Sequence, residues 1–198
     1  MLDRRLVRGA LCLILVAAGA SAARAEVRLR LQPPQGWHLV NKAGAKGQAV
    51  IEYAPAGESA RDWTDLMSVH ILAGAIPLDR YIAVQQALWQ GTCGKLKVQG
   101  PQLSKDPSGY QVAEYRFACR DPDPAKAPPG VTLRDREYLQ SKVFVANGRI
   151  YDVQRAYHQD EGSTPMQELE TRLDRRLDDW DAFFKDVRLC DTKTEPHC

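Results

Sequence analysis

The chain has 198 residues, of which 44% are apolar and 26% charged, and its formal net charge at pH 7 is +2. The positive excess comes from the first 25 residues, because 23 basic and 24 acidic residues remain without them. Because basic and acidic residues are nearly equal in number, the remaining chain has no long-range electrostatic field to attract nucleic acid or an anionic membrane. This argues against both as partners. The remaining length fits one domain with its own core.

The first 25 residues have the layout of a secretory signal peptide. Three arginines precede an apolar run over residues 10–18, and Ala23-Arg24-Ala25 offers small residues for cleavage. The run is shorter than the about 20 apolar residues that a membrane span needs, and no other long apolar run follows. We predict a signal peptide over residues 1–25 and one exported domain over residues 26–198, periplasmic or secreted, without a transmembrane segment.

Four strands are predicted before the first helix. Val27 to Leu31 alternates apolar and basic residues, as a strand with one wet face does. The later strands are expected at Trp37 to Val40, Ala49 to Tyr53 and Trp63 to Leu72, with the glycine-lysine stretch from Lys42 to Gly47 as a link.

A change of period at Pro77 predicts an amphipathic helix that ends near Gly91. Its apolar stripe consists of residues at three- and four-residue steps, namely Leu78, Tyr81, Ile82, Leu88 and Trp89.

Two further strands, Lys95 to Gln102 and Gly109 to Ala118, flank a segment rich in turn formers. A hairpin folded about Asp106 pairs residues whose numbers sum to 212, which sets Cys93 opposite Cys119. An even number of cysteines in an exported chain favours disulfides, so we predict this bridge.

The two remaining cysteines of the exported chain are expected to pair as well. A Cys190–Cys198 disulfide would hold the tail against the end of the last helix. The competing interpretation is a metal site that includes His197, but the cysteines have no recognised zinc spacing. No metal and no cofactor are therefore predicted.

The second half of the chain contains a loop, a hairpin and a helix. The prolines of Asp121 to Gly130 predict an exposed loop that cannot join a ladder. Glu137 to Val145 and Arg149 to Tyr157 flank Asn147-Gly148, which suits a type I′ hairpin turn. A long final helix follows, with Thr164 as the capping residue of a capping box that Gln167 completes, and an apolar stripe from Met166 to Val187.

These elements predict an α+β fold with an antiparallel sheet of about seven or eight strands, flanked by two main helices in the order strands, helix, strands, helix. Some strands carry apolar residues on both faces, for example Val143 to Val153, so we expect a helix on each side of the sheet.

The layout resembles the PsbP-like class of small exported α/β/α sandwich proteins. The features that carry the resemblance are the turn at Pro34-Gln35-Gly36-Trp37, the strand end at Ile51-Glu52-Tyr53-Ala54-Pro55, and the Asn147-Gly148 hairpin with a terminal helix after it. The resemblance implies a binding or assembly-assisting module and no particular site residues.

Two groups of residues could support catalysis. His70 lies two residues from Ser68 on one strand face, so that a hydrogen bond between them is possible. His158, Asp160 and Glu161 gather an imidazole and two carboxylates where the last strand leads into the final helix, as acid–base or metal chemistry would need. The alternative for His70 is a structural role within its strand. The alternative for the other group is an ordinary solvated connection between the strand and the helix.

A contact surface is the other possibility. Trp37, Trp63 and the loop that carries Asp121 and Asp123 are the candidate binding residues. An aromatic flanked by opposite charges, as Trp63 is, suits an interface, although the same tryptophan could fold into the core. The two aspartates could face calcium, but no EF-hand pattern accompanies them.

No catalytic motif is present, so the sequence predicts an exported binding or accessory module rather than an enzyme. It would contact an envelope protein or a small ligand. One alternative is a hydrolase or metal-assisted enzyme that uses His70 or the group of His158, Asp160 and Glu161. Another is an inhibitory or structural partner of an envelope protein, whose loop occupies the other protein's cleft.

Overall fold

The computed structural model of the chain describes residues 27–127 and 130–191. The predicted signal peptide and Cys198 lie outside these residues. Two helices and nine strands follow in the order β1 (Val27–Arg30), β2 (Trp37–Ala45), β3 (Gln48–Pro55), β4 (Asp65–Ala73), α1 (Leu78–Thr92), β5 (Cys93–Lys105), β6 (Gln111–Pro122), β7 (Arg136–Ala146), β8 (Arg149–Gln159), α2 (Met166–Asp186) and β9 (Arg188–Asp191).

Seven of the strands form one antiparallel sheet in the order β2-β3-β4-β8-β7-β6-β5. Strand β8 reaches the centre of the sheet because the hairpin at Asn147 and Gly148 brings it back along β7. Both turn residues have a positive φ, 51° and 72°, as the sequence predicted for this turn. The α+β class with a seven-stranded sheet is therefore confirmed.

The two helices pack on opposite faces of the sheet, which we call the α1 face and the α2 face. On the α1 face, Tyr81 and Ile82 pack with strand residues such as Phe117. On the α2 face, Trp180 and Phe184 pack with a second set of strand residues. Alternate residues of β6, β7 and β8 enter the two clusters, so a three-layer molecule results.

Strand β1 forms at the predicted place, but it lies outside the large sheet. It pairs with β9, a strand that the sequence did not predict, from Val27 opposite Asp191 to Arg30 opposite Arg188. Cys190 therefore lies in a strand rather than at the end of the last helix.

Three local predictions are wrong. The stretch from Lys42 is not a link, because β2 continues to Ala45 and turns through Lys46 and Gly47, which have positive φ. Leu88 does not join the core, since its outward position on α1 leaves it 60% exposed. Helix α2 has no capping box: Pro165 takes the N-cap position, and no side chain caps it.

The Cys93–Cys119 disulfide is confirmed, with 5.6 Å between the Cα atoms, but the register predicted for it is wrong. Lys105 pairs with Gln111, and Cys119 lies opposite Leu96. The predicted register counted from Asp106, whereas the turn is centred farther along the chain. The bridge therefore crosses the β5–β6 ladder diagonally.

The start of the proline-rich loop is also corrected. Asp121 and Pro122 end strand β6, and Pro122 pairs with Cys93. Proline is tolerated here because it ends the ladder. A short 3₁₀-helix, Pro124–Lys126, follows.

None of the helices within the described residues is both long enough and apolar enough to span a membrane.

Candidate functional site

The predicted hydrogen bond between Ser68 and His70 is not formed in the described residues. Both lie on the α1 face of β4, but the hydroxyl of Ser68 donates to Glu52 Oε1 at 3.3 Å. His70 lies opposite Asp152 of β8 in the ladder. The imidazole thus has a carboxylate neighbour that the sequence could not reveal.

Asp152 is the most deeply buried carboxyl of this face, with no exposed surface. It accepts hydrogen bonds from the phenol of Tyr81 at 2.7 Å and the amide of Gln154 at 2.6 Å, and from the hydroxyl of Ser141 at 2.5 Å. Burial raises the pKa of Asp152, although these donors and the nearby His70 act to lower it. Three donors on one carboxyl make this group a structural link between α1 and the sheet.

The second predicted catalytic group is not assembled. His158 is 2% exposed and stacks on the ring of Trp63, with 3.5 Å between the ring centroids. Asp160 instead accepts from Arg134 at 2.8 Å, and Glu161 accepts from Arg136. Because His158 is in β8 and both carboxylates turn to arginines, the three groups do not share one cleft.

Trp63 is 6% exposed and belongs to the core of the α1 face. Of the two possibilities that the sequence left open, burial is the one observed, and this indole is not a surface contact. The stack on His158 explains why.

Trp37 is half-buried at the start of β2. The guanidinium of Arg155 lies 4.6 Å from its ring centroid and 5.7 Å from that of Trp180. Burial lowers the pKa of Arg155 to about 10, against the opposing effect of Asp65. One side of Trp37 is thus occupied by a cation–π contact, and its role as a contact residue stays a prediction.

The two loop aspartates have separate structural contacts. Asp121 Oδ2 lies 3.0 Å from Lys95 Nζ. Asp123 accepts from the backbone N–H of Ala125 and pairs with Lys126 at 3.3 Å. Within the part of the chain that the structure describes, no group of three or more His, Cys, Asp or Glu residues could hold a metal ion.

Cys190 is fully buried and disulfide-bonded. The predicted partner, Cys198, is not among the described residues, so the pairing of these two stays a prediction.

Strand β5 offers a surface of a different kind, at the edge of the large sheet. Within the described residues its one strand neighbour is β6. On the α1 face, Val98 is 41% exposed and Leu103 is 71% exposed. Leu103 is the most exposed large apolar side chain among the described residues. A strand edge with exposed apolar side chains is a site at which another chain can add.

The α2 face of the same edge contains a groove between α2 and strands β5 and β6. Two adjoining cavities of about 300 and 430 Å³ share Lys97, Ala118, Tyr138 and Leu173. Leu177 continues the apolar side of the groove. We call strand β5, with Val98, Leu103 and this groove, the β5 edge surface.

A β-bulge interrupts the strand in the middle of this surface. Gln99 pairs with Arg116 and Gln102 with Glu114, so Gly100 and Pro101 lie opposite Tyr115 alone. Gly100 has a φ of +89°, and a Cβ atom there would be 2.8 Å from the carbonyl oxygen of Glu114. Bulges are frequent where a sheet edge is shaped for function.

A polar cavity of about 230 Å³ opens beside the bulge. Asp181 of α2 lies on its wall, where it accepts from Gln140 at 2.8 Å and from Arg116. Burial acts to raise the pKa of Asp181, but these hydrogen bonds outweigh it and lower the pKa. The ion pair of Arg116 and Asp181 fixes α2 to the strands that form the groove.

The sequence predicted the strand from Lys95 to Gln102 but did not identify the β5 edge surface, and the candidate Asp121 lies beside it, paired with Lys95. Gly100-Pro101 inside a strand was a local signal for a bulge. Leu173 and Leu177 belong to the predicted apolar stripe of the last helix, and nothing in the stripe tells which of its residues remain uncovered.

No family model matches the sequence. No curated protein matches it either.

Eleven chains of solved structures match the fold. One is the solution structure of cyanobacterial PsbP (CyanoP) from Synechocystis sp. PCC 6803, which is 15% identical, with a TM-score of 0.46. The match covers 88% of this chain and 99% of that chain. That cyanobacterial protein is a member of the class that the sequence resembles. The fold of this chain is established by its own strand pairing and its two cores.

Proposed function

We propose that this protein is an accessory binding module, exported from the cytosol, that binds another protein through the β5 edge surface. The observation that carries the proposal is the combination of features at one edge: a strand with a free side, exposed Val98 and Leu103 on one face, and the partly apolar groove on the other.

The candidate catalytic residues support binding better than a reaction. His158 is stacked in the core, and Asp160 and Glu161 are held by arginines. The hydroxyl of Ser68 is directed to Glu52 instead of an imidazole. A nucleophile needs a base beside it, and these contacts do not provide one. Hydrolysis of a substrate by the wild type that is lost when His70 is substituted would instead favour the hydrolase alternative.

The proposal of export rests on the sequence of residues 1–25 and on the disulfide between Cys93 and Cys119, since such bonds persist in oxidising compartments. Intact-mass analysis of the protein from its own cells tests it. The expected mass begins at Glu26 and includes disulfides, whereas a mass that still contains Met1 would contradict export with cleavage.

Paired surface variants test the binding surface. Val98→Ser together with Leu103→Ser removes the exposed apolar groups of β5, and Leu39→Ser removes a 50% exposed leucine from β2 at the opposite edge. Each wild-type or variant protein is purified from its own cells, and the stoichiometry of any co-purified protein is measured. We expect a defined partner that the β5 variant loses and the Leu39 variant retains. Equal retention by both variants, or a bound small molecule alone, would refute the proposal.

A further inference from the structure

We propose that an extended acidic segment of the partner pairs with β5 over residues 95–99 and becomes the eighth strand of the sheet, with its carboxylates against Lys95 and Lys97. This inference rests on the proposed function, since it specifies what the β5 edge surface binds.

The backbone of β5 is regular over these five residues. Lys95 pairs with Arg120 and Gln99 with Arg116, without a shift between them. In an antiparallel ladder, alternate residues direct their N–H and C=O groups to one side or the other. Half of the polar backbone groups of this segment therefore point away from β6, where an added strand can bind them.

The bulge at Gly100 and Pro101 limits the length of the added strand. Proline has no N–H to donate, and the ladder is irregular at this point. The regular ladder begins at Lys95, because Gly94 has no partner between the pairs of Cys93 with Pro122 and of Lys95 with Arg120. An added strand thus has about five residues of regular backbone to pair with.

Charge selects the kind of strand. Strand β5 contains three lysines and no acidic residue. The side chain of Lys95 is 73% exposed, and that of its partner Asp121 is 60% exposed. Lys97 has no ion pair with any described residue. Opposite charges directly across two strands attract, so carboxylates opposite Lys95 and Lys97 are favoured.

The other face of the segment selects apolar residues. Leu96 and Val98 point to the α1 face, where Leu96 packs against the core and Val98 remains 41% exposed. Because side chains alternate along a strand, the matching partner segment alternates acidic and apolar residues.

A second copy of this chain fits poorly. In an antiparallel pair of two copies of residues 95–99, lysines lie against lysines or against Gln99 on the α2 face, and like charges across strands repel. Lysines on an edge strand also protect proteins from aggregation. If the lysines of β5 served only this protection, no added strand would bind. If they select a partner, an acidic strand binds and other strands do not.

Designed peptides distinguish these roles. The probe is a capped peptide with the alternating core Glu-Val-Glu-Val-Glu, compared with the clustered order Glu-Glu-Glu-Val-Val and with Lys-Val-Lys-Val-Lys. Amide hydrogen exchange of the full chain is measured by NMR with each peptide. The alternating acidic peptide should slow exchange at the outward amides of residues 95–99 at least about tenfold, and less so when salt is raised to about 0.5 M. Protection by all peptides alike, or by none, would overturn the inference.

Charge reversal provides the matched control. Lys95→Glu with Lys97→Glu should abolish binding of the acidic peptide and create binding of the lysine peptide. Lys42→Glu with Lys46→Glu, at the other edge of the sheet, should change neither. The milder Lys97→Gln should weaken the acidic peptide without unfolding the protein, which a circular dichroism spectrum checks. An unchanged preference in the reversed variant would overturn the inference. Loss of the natural partner from the Val98 and Leu103 variant, without peptide protection of β5, would refute this pairing alone and leave the proposed function standing.

Discussion

The phenol of Tyr81 donates a 2.7 Å hydrogen bond to Asp152 Oδ2, across 71 positions of sequence. This bond joins the first turn of α1 to the central strand of the sheet. Helix α1 packs on β5 and β6, so the link also positions the helix that lies beside the proposed binding edge.

Removal of this hydroxyl should destabilise the protein. In Tyr81→Phe, one oxygen of a fully buried carboxyl loses a donor, so we expect the free energy of unfolding to fall by about 1–3 kcal/mol. Urea denaturation measures the change. Tyr53→Phe is the control, because that hydroxyl makes no hydrogen bond with the described residues, and an equal loss in both variants would contradict the assigned role of Tyr81.

The pH dependence of stability should reveal Asp152. Burial raises its pKa above the ordinary 3.8 in the folded state, so the folded protein binds this proton more tightly than the unfolded chain. The contribution is therefore fully present at low pH and is lost as the pH rises through the folded value. Asp152→Asn lacks this titration. The stability of the wild type relative to Asp152→Asn should therefore fall as the pH rises above the ordinary carboxyl pKa of 3.8.

The matched control for the removal of one carboxyl is Asp174→Asn, on the exposed side of α2. If the difference for Asp152→Asn is flat or rises with pH, the buried carboxyl does not hold the proton as described.

Tyr81 and Asp152 show what the sequence could and could not predict. Tyr81 was correctly assigned to the buried stripe of α1, because helical periodicity is a local pattern. Asp152 gave no such signal within its strand. Its burial depends on the order of strands in the sheet, which places β8 in the middle, and on the arrival of Tyr81 from a distant helix.

In the β5–β6 hairpin, too, local patterns predicted the elements but not how they are arranged. Its two strands and its disulfide followed from local patterns, but the turn that sets the register extends to Tyr110, whose N–H donates to Asp106 Oδ1 at 2.9 Å. The prediction set Cys93 opposite Cys119, whereas Leu96, three residues farther along β5, occupies that position. The bulge at Gly100 changes the count again, and a count of residues from the turn cannot anticipate it.

The disulfide should contribute substantially to stability. It closes a loop with a sequence separation of 26 residues, for which the chain-entropy model gives roughly 3–4 kcal/mol. We expect the double variant Cys93→Ala and Cys119→Ala, compared with the oxidised wild type, to lose stability of this order in urea. Equal stability of the double variant and the oxidised wild type would show that the bridge constrains the unfolded chain little.

Gly100 should be required for the bulge. Gly100→Ala places a Cβ atom 2.8 Å from a backbone oxygen and keeps a φ of +89°, whereas Gly36→Ala meets nothing within 4 Å at a φ of +81°. Strain in the left-handed region costs both variants about 1–2 kcal/mol, and Gly100→Ala should lose clearly more. Thermal or urea unfolding measures both, and equal losses would contradict the close approach in β5.

The binding site is tested in the cells of origin with a photo-crosslinking amino acid placed singly in the protein. Gln99, exposed on β5 beside the lysines, is the test position, and Arg175 on the exposed side of α2 is the control. We expect a covalent adduct of one defined protein from position 99 and none from position 175, with the crosslinked peptide of the partner rich in acidic residues. No adduct from position 99, or the same adduct from both positions, would contradict the β5 edge surface as the binding site.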